Sequence, residues 1–459
     1  MNAPAPAADW HAHAAALKAA AALRAGRPAS AGAAGAARII LLDTIGCMLA
    51  GRAAPEVAAF ERNASGLESG PFTFPGGRRL SFAAAAQVGA MAATWDEACE
   101  GHAYAHGRPG VPAVAALLPL AFAGDRGLDA MVDALALAYE VGARAGGWLR
   151  IRPGMHVDGN WPALGVAAGV ARLLGQDADG IARAIDIAAC QLPTSLYLPV
   201  TEGKTARNTY LAHAAQLGLL AAQAAAAGVS APEGALALYA GSFSAAASAE
   251  SPTCAESPTC AAPPAPQDDL ILDAYIKPHA AVRHVHYGAE LARGAREALE
   301  GKTAGITRIV LSIYPEAITY CGNRAPAVPI QAQFSLTFGV AAMLRFGVLD
   351  HSVYRAGRFD DPELRRLEAL VDVRVDRALE GEGRRGASLR VSSGYKDFED
   401  DVRAIPGDAS RPLSAEEVAA KFMRYGEASV PGEKTFVFAN ALLSADVDVK
   451  MRALWDLLF

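Results

Sequence analysis

Residues 83–123 read AAAAQVGAMAATWDEACEGHAYAHGRPGVPAVAALLPLAFA. Two alanine-rich apolar runs, 83–94 and 113–123, enclose a glycine-broken loop from Trp95 to Pro112. Small-residue runs of this kind pack as buried helices, and alanine has the strongest intrinsic preference for helix. The loop carries Asp96, Glu97, Glu100, His102, His106 and Arg108. A solvated connection between two helices is the plain reading of such charges. Histidine, lysine and arginine clusters that break the apolar background again further along favour an active site instead.

Composition extends the helical expectation to the chain. Of 459 residues, 52% are hydrophobic but only 7% aromatic, so the core is built from small side chains and closely spaced helices. The length exceeds one ordinary core and implies two domains, or one large domain with an insertion. A net charge of −6 with both signs scattered gives no footprint for nucleic acid and no polybasic membrane patch. The start, MNAPAPAADW, lacks the pattern of a secretory signal, and no uncharged apolar run is long enough to span a bilayer, so a cytoplasmic protein is expected. The six cysteines are dispersed, without CxxC spacing, and read as reduced thiols.

Along the chain, helices are expected at His11 to Leu23, 36–51 closed by Gly51, 128–149, 161–175, 177–192 capped by Asp177, and 208–228 ended by Gly228. Residues 71–82 form a turn-rich connection. Residues 243–267 read as a surface loop lengthened by duplication, with AESPTC at 249–254 and again at 255–260. The character then changes: 306–314, 371–376 and 387–393 alternate or are β-branched and read as strands, with helices at His286 to Glu300 and Gln331 to Gly347 among them. Helix returns after Ser414. The pattern gives a mainly α protein, in which a large all-helical domain built from both chain ends (1–270 and 405–459) carries an inserted α+β domain, 271–404.

Four further clusters accompany the opening loop. His156 in GMHVDGN precedes a helix N-terminus, where an imidazole is kept near neutral. Lys204 and Arg207 lie just ahead of an apolar helix and suit a carboxylate. Lys277, His279, Arg283, His284 and His286 fall within ten residues at the junction of the two parts, where clefts are favoured. Tyr320, Asn323 and Arg324 share a turn. Each is also readable as ordinary surface or core, and His284-x-His286 as half of a metal site lacking its remaining ligands. No dinucleotide fingerprint, phosphate loop, serine elbow or zinc signature is present. The inventory suits anion recognition and proton transfer.

The order of these motifs, from LLDTIGCMLAG (41–51) through GMHVDGNWPALG, KPHAAVRHVH (277–286) and AQFSLTFGVAAML (332–344), resembles the MmgE/PrpD family from about residue 30 onward. That family includes 2-methylcitrate dehydratases, cis-aconitate decarboxylases and iminodisuccinate epimerases. The resemblance implies a homodimer with an all-helical domain, a smaller α+β lid, and an active site in the cleft between them that uses neither metal nor organic cofactor. By position it implies His156 and His286 as acid/base residues and Tyr320 as a pocket tyrosine. Arg207 stands where the family usually has lysine, with Lys204 one turn earlier. The opening loop departs most, with Ala98, Glu100, Gly101 and His102 in place of an acidic motif and Arg108 in place of a histidine; His106 lies two residues away. The expectation is a cofactor-independent lyase that eliminates water or carbon dioxide from a small di- or tricarboxylate. His156, His286, His102, His106 and Tyr320 would carry the chemistry, and Arg108, Lys204, Arg207, Lys277 and Glu100 would hold the substrate. A dicarboxylate epimerase and a non-catalytic binding protein of the same fold are the alternatives.

Overall fold

The structure is a computed structural model that describes residues 9–243, 264–379, 385–444 and 449–459. The duplicated AESPTC segment, with Cys254 and Cys260, lies outside the described residues. The first part is helical: α1 (Trp10–Ala25), α2 (Ala31–Gly51), α3 (Pro55–Leu67), α4 (Phe82–Thr94), α5 (Gly110–Ala123), α6 (Leu128–Trp148), α7 (Pro162–Leu173), α8 (Ala178–Ala189), α9 (Leu198–Thr201), α10 (Tyr210–Ala226) and α11 (Ala235–Phe243). Three two-residue ladders tie its loops: β1 (Phe72–Thr73) with β2 (Arg79–Leu80), β3 (Gly101–His102) with β6 (Ala274–Tyr275), and β4 (Met155–His156) with β5 (Ser195–Leu196).

Small residues let these helices touch backbone to backbone. A Cβ on Gly165 of α7 would lie 2.4 Å from the Ala138 carbonyl oxygen of α6, so only glycine permits that crossing. Gly51 was expected to terminate α2. The helix instead runs through it and is capped by Arg52, and a Cβ there would fall 1.9 Å from the Ala92 carbonyl oxygen of α4. The glycine serves a helix crossing, which local sequence does not distinguish from a cap. Asp177 caps α8 through the Gly180 amide, and Gly228 follows α10 at φ +84°. Helix α2 is long and apolar enough to cross a membrane, but most of it is buried in this bundle.

The α+β part begins with α12 (Arg283–Ala298), three residues earlier than the sequence suggested. A four-stranded sheet follows in the order β10-β9-β7-β8, formed by β7 (Ile306–Ile313), β8 (Val371–Val375), β9 (Ala387–Ser393) and β10 (Phe398–Val402). Strands β7 and β8 are parallel, and the chain crosses between them through α13 (Pro315–Cys321), α14 (Pro329–Ala332), α15 (Leu336–Phe346) and α16 (Pro362–Leu370). Three strands match the expected ones. The fourth, FEDDV, was missed because it is an edge strand whose central Glu399, Asp400 and Asp401 are exposed, which blunts the apolar alternation.

The tail returns to the first helices. Helix α17 (Ala415–Gly426) starts with a capping box between Ser414 and Glu417 and packs along α2. Helices α18 (Gly432–Ser444) and α19 (Met451–Asp456) follow, and Trp455 Nε1 donates to the Thr73 carbonyl at 3.0 Å.

Candidate active site

The loop between α4 and α5 is fixed by side chains from every part of the chain. Gln333 Nε2 donates to the Trp95 carbonyl at 2.9 Å, Arg355 holds both Asp96 oxygens at 3.0 Å, and Lys421 Nζ donates to the Ala98 carbonyl at 2.7 Å. Glu97 sits in the left-handed region at φ +54°, a strained posture for a side-chain-bearing residue that this clamping sustains. Glu100 accepts the Gly110 and Val111 amides at 2.8 and 3.1 Å and the Tyr139 hydroxyl at 3.0 Å. It therefore caps α5 rather than meeting a substrate, and burial pushes its carboxyl up to about 7.

Glu97 is the hub of a buried ion cluster. Its carboxylate accepts from Arg108 at 2.9 Å, from Lys277 at 2.8 Å and from Arg207. Asp158 takes the other side of Arg108 and lies 3.6 Å from Arg207. Burial alone would raise Glu97, but Arg108, Arg207 and Lys277 outweigh it and hold the carboxyl well below the usual carboxylate range. Three cations thus face two carboxylates, all of them at most 4% exposed. One positive charge is left over.

His156 adjoins this cluster. Its Nδ1 accepts the Asp158 amide at 3.2 Å, and Arg207 Nε stands 3.5 Å from its Nε2. Burial, then Arg207 and Arg108, lower its pKa well below the ordinary value, so the ring is neutral. A row of rings leads away from it. His156 stacks on Tyr197 at 5.7 Å, Tyr197 meets Tyr320 edge-on at 5.8 Å, and Tyr320 stacks on His284 at 5.9 Å and 7°. His284 Nδ1 is 2.6 Å from the hydroxyl of Tyr314.

All of these groups except Tyr314 line one cavity of about 770 Å³, walled by the first helical part and by the α+β part together. Lys277 and six arginines, among them Arg150, Arg283 and Arg385, line it against only Glu97, Asp158 and Glu316. Arg283 and Arg385 are paired with Asp408 and Glu316, so the positive excess at the cavity rests on the Arg108, Arg207 and Lys277 cluster, a potential that favours an anion.

The sequence-predicted residues divide sharply. Arg108, Arg207, Lys277, His156 and Tyr320 meet at the cavity, and His106 opens onto it at φ +55°. His102 also reaches it, but both ring nitrogens are committed to backbone: Nδ1 accepts the Ala105 amide at 3.2 Å and Nε2 meets the Leu270 carbonyl at 2.9 Å. Lys204 is exposed and lies outside the cavity, because the turn before α10 directs Arg207 inward instead. His286 is 1% exposed, bonds the Ala281 carbonyl at 3.1 Å, and packs on His279 behind the cavity wall. His284, two residues earlier, occupies the wall. An α12 started at Arg283 would have assigned the two histidines to different faces. Because they diverge, they do not form a metal pair, and among the described residues no three His, Cys, Asp or Glu side chains form a group able to hold a metal ion.

Comparison with known families matches the MmgE/PrpD N-terminal domain to residues 27–255 and the MmgE/PrpD C-terminal domain to residues 279–444. No curated protein matches the chain.

Proposed function

Because the chain belongs to the MmgE/PrpD family, a dehydratase- and lyase-like family, we propose that it is a lyase acting on a small di- or tricarboxylate by proton transfer beside a carboxyl group. The observation that carries this reading is the uncompensated positive charge of the Arg108, Arg207 and Lys277 cluster, buried at the cavity beside a neutral imidazole. A substrate carboxylate balances that charge. It also offsets the cations that keep His156 deprotonated, so anion binding makes the ring a better base.

In the proposed step His156 gives up the 3.2 Å contact of its Nδ1 with the Asp158 amide and takes there the proton from the carbon next to the held carboxylate. The electron pair of the broken C–H bond moves into the carboxylate as an enolate, whose added negative charge Arg108, Arg207 and Lys277 stabilise. Collapse of the enolate breaks the C–O bond to the neighbouring carbon and expels hydroxide, which takes a proton from solvent in the cavity and leaves as water, with Tyr320 hydrogen-bonding the departing group. Decarboxylation uses the same cationic cradle, while return of the proton to the other face gives the epimerase variant of the same chemistry.

The test is proton NMR of the protein in deuterium oxide against a panel of small di- and tricarboxylic acids, with His156→Ala as control. Deuterium appearing beside a carboxyl group, with elimination product, and at least a hundredfold less of both in His156→Ala, is the expected result. A panel that neither exchanges nor shifts the melting temperature would overturn the reading in favour of a non-catalytic protein.

A further inference from the structure

His284 is, like His156, a neutral imidazole at the cavity, but it stands on the α+β wall. It is half-buried and lines the cavity, its ring lies flat on Tyr320, and Nδ1 is bound by the hydroxyl of Tyr314, itself 2% exposed. Burial first, then Arg385, Arg283 and Lys277, pull its pKa down to about 3, so it too is neutral. With Nδ1 engaged by Tyr314, the ring orientation is fixed and Nε2 is the nitrogen left for a cavity ligand. His286, by contrast, has no face on the cavity.

We propose that His284 is the second proton-transfer group of this site, working with His156 from the other wall, and that Tyr314 is its positioning residue. The proposal rests on the proton-transfer reading above. A dianionic substrate entering the cationic cavity brings one proton with it, leaving one imidazole charged and the other neutral. The neutral ring takes the C–H proton, and the electron pair of that bond forms the enolate. The charged ring gives its proton to the departing hydroxyl as the C–O bond breaks, releasing water, or to the carbanion on its second face, giving the epimer. Each cycle ends with the proton on the opposite histidine, and exchange with solvent restores the start.

The experiment compares His284→Gln, Tyr314→Phe and His286→Gln with wild type, using the same acids in deuterium oxide together with melting temperatures. His284→Gln should lose about a hundredfold or more in turnover while deuterium exchange at the carbon served by His156 persists. Tyr314→Phe should lose less and shift the pH profile of turnover, which loss of a merely structural contact would not do. His286→Gln, if it folds, should keep turnover within about threefold of wild type. Full turnover in His284→Gln, or an equal loss in a folded His286→Gln, would overturn the assignment. Absence of exchange in wild type would instead sink the proton-transfer chemistry on which it stands.

Discussion

Two buried lysines reach the same loop from segments far apart in the chain. Lys277 binds the Glu97 carboxylate and the Glu97 carbonyl at 2.8 and 3.1 Å, and Lys421 binds Asp43 and, one residue further along, the Ala98 carbonyl at 2.7 Å. They are 3% and 4% exposed. Their surroundings differ. Lys277 shares its carboxylate with two arginines at the edge of a cavity. Lys421 forms an ion pair with Asp43, lies 5.4 Å from the Tyr425 ring centre, and borders no part of that cavity. Burial lowers the Lys421 ammonium, and attraction to Asp43 more than restores it. A buried charge is therefore not in itself a functional mark. An excess of one sign beside open volume is.

The strongest way to break this contrast is to remove each lysine. Lys421→Met strands Asp43 in the core and should cost about 3–5 kcal/mol of unfolding free energy, read by denaturant titration. Lys277→Met leaves Glu97 with both arginines, so it should cost clearly less stability while weakening dicarboxylate binding at least tenfold by calorimetry. Equal destabilisation, with binding unchanged in Lys277→Met, would erase the distinction.

A smaller effect sharpens the structural side of the loop. Glu100 is raised from 4.5 to about 7, so its contribution to stability is full below about pH 4.5 and is lost as pH rises through about 7. Glu100→Gln keeps the group neutral. Relative to wild type it should gain about 3 kcal/mol between pH 4.5 and 8, measured as the difference between paired urea titrations. A difference that stays flat with pH would mean that Glu100 is ionised normally. The smallest effect is expected at Lys204, which is exposed. Lys204→Ala should change stability by less than about 0.5 kcal/mol and leave carboxylate affinity unmoved.

Much of this was legible in the chain. Period and capping gave the helices around the opening loop, because a helix that buries one stripe writes that stripe into its sequence. Strands β7, β8 and β9 were legible for the same reason, while β10 was not, since three consecutive carboxylates, Glu399, Asp400 and Asp401, leave it no apolar alternation. Helices α3, α13 and α16 were also missed: α13 and α16 carry few turns, and α3, though 13 residues long, buries only Val57 and Glu61 and so writes no apolar stripe. At the site, Arg108, Arg207, Lys277, His156 and Tyr320 were found from residue type and motif order. His286 was preferred to His284 because the motif resemblance pointed to it by position, whereas the packing of α12 turns His284 to the cavity and His286 away from it.

By itself the sequence determined the class of the molecule: a mainly helical fold with an inserted α+β part, charged clusters at the loops, and membership of the MmgE/PrpD family. Those properties follow from local pattern and side-chain type, which the chain carries without folding. Only the tertiary structure decided which charges are balanced and which are left over. Lys277 and Lys421 are alike as residues, and Glu97 and Glu100 lie three apart in one loop, yet one of each pair faces the cavity and the other closes the core. That difference depends on the partners that distant segments bring within about 3 Å, and burial then turns those partners into the electrostatics of the site.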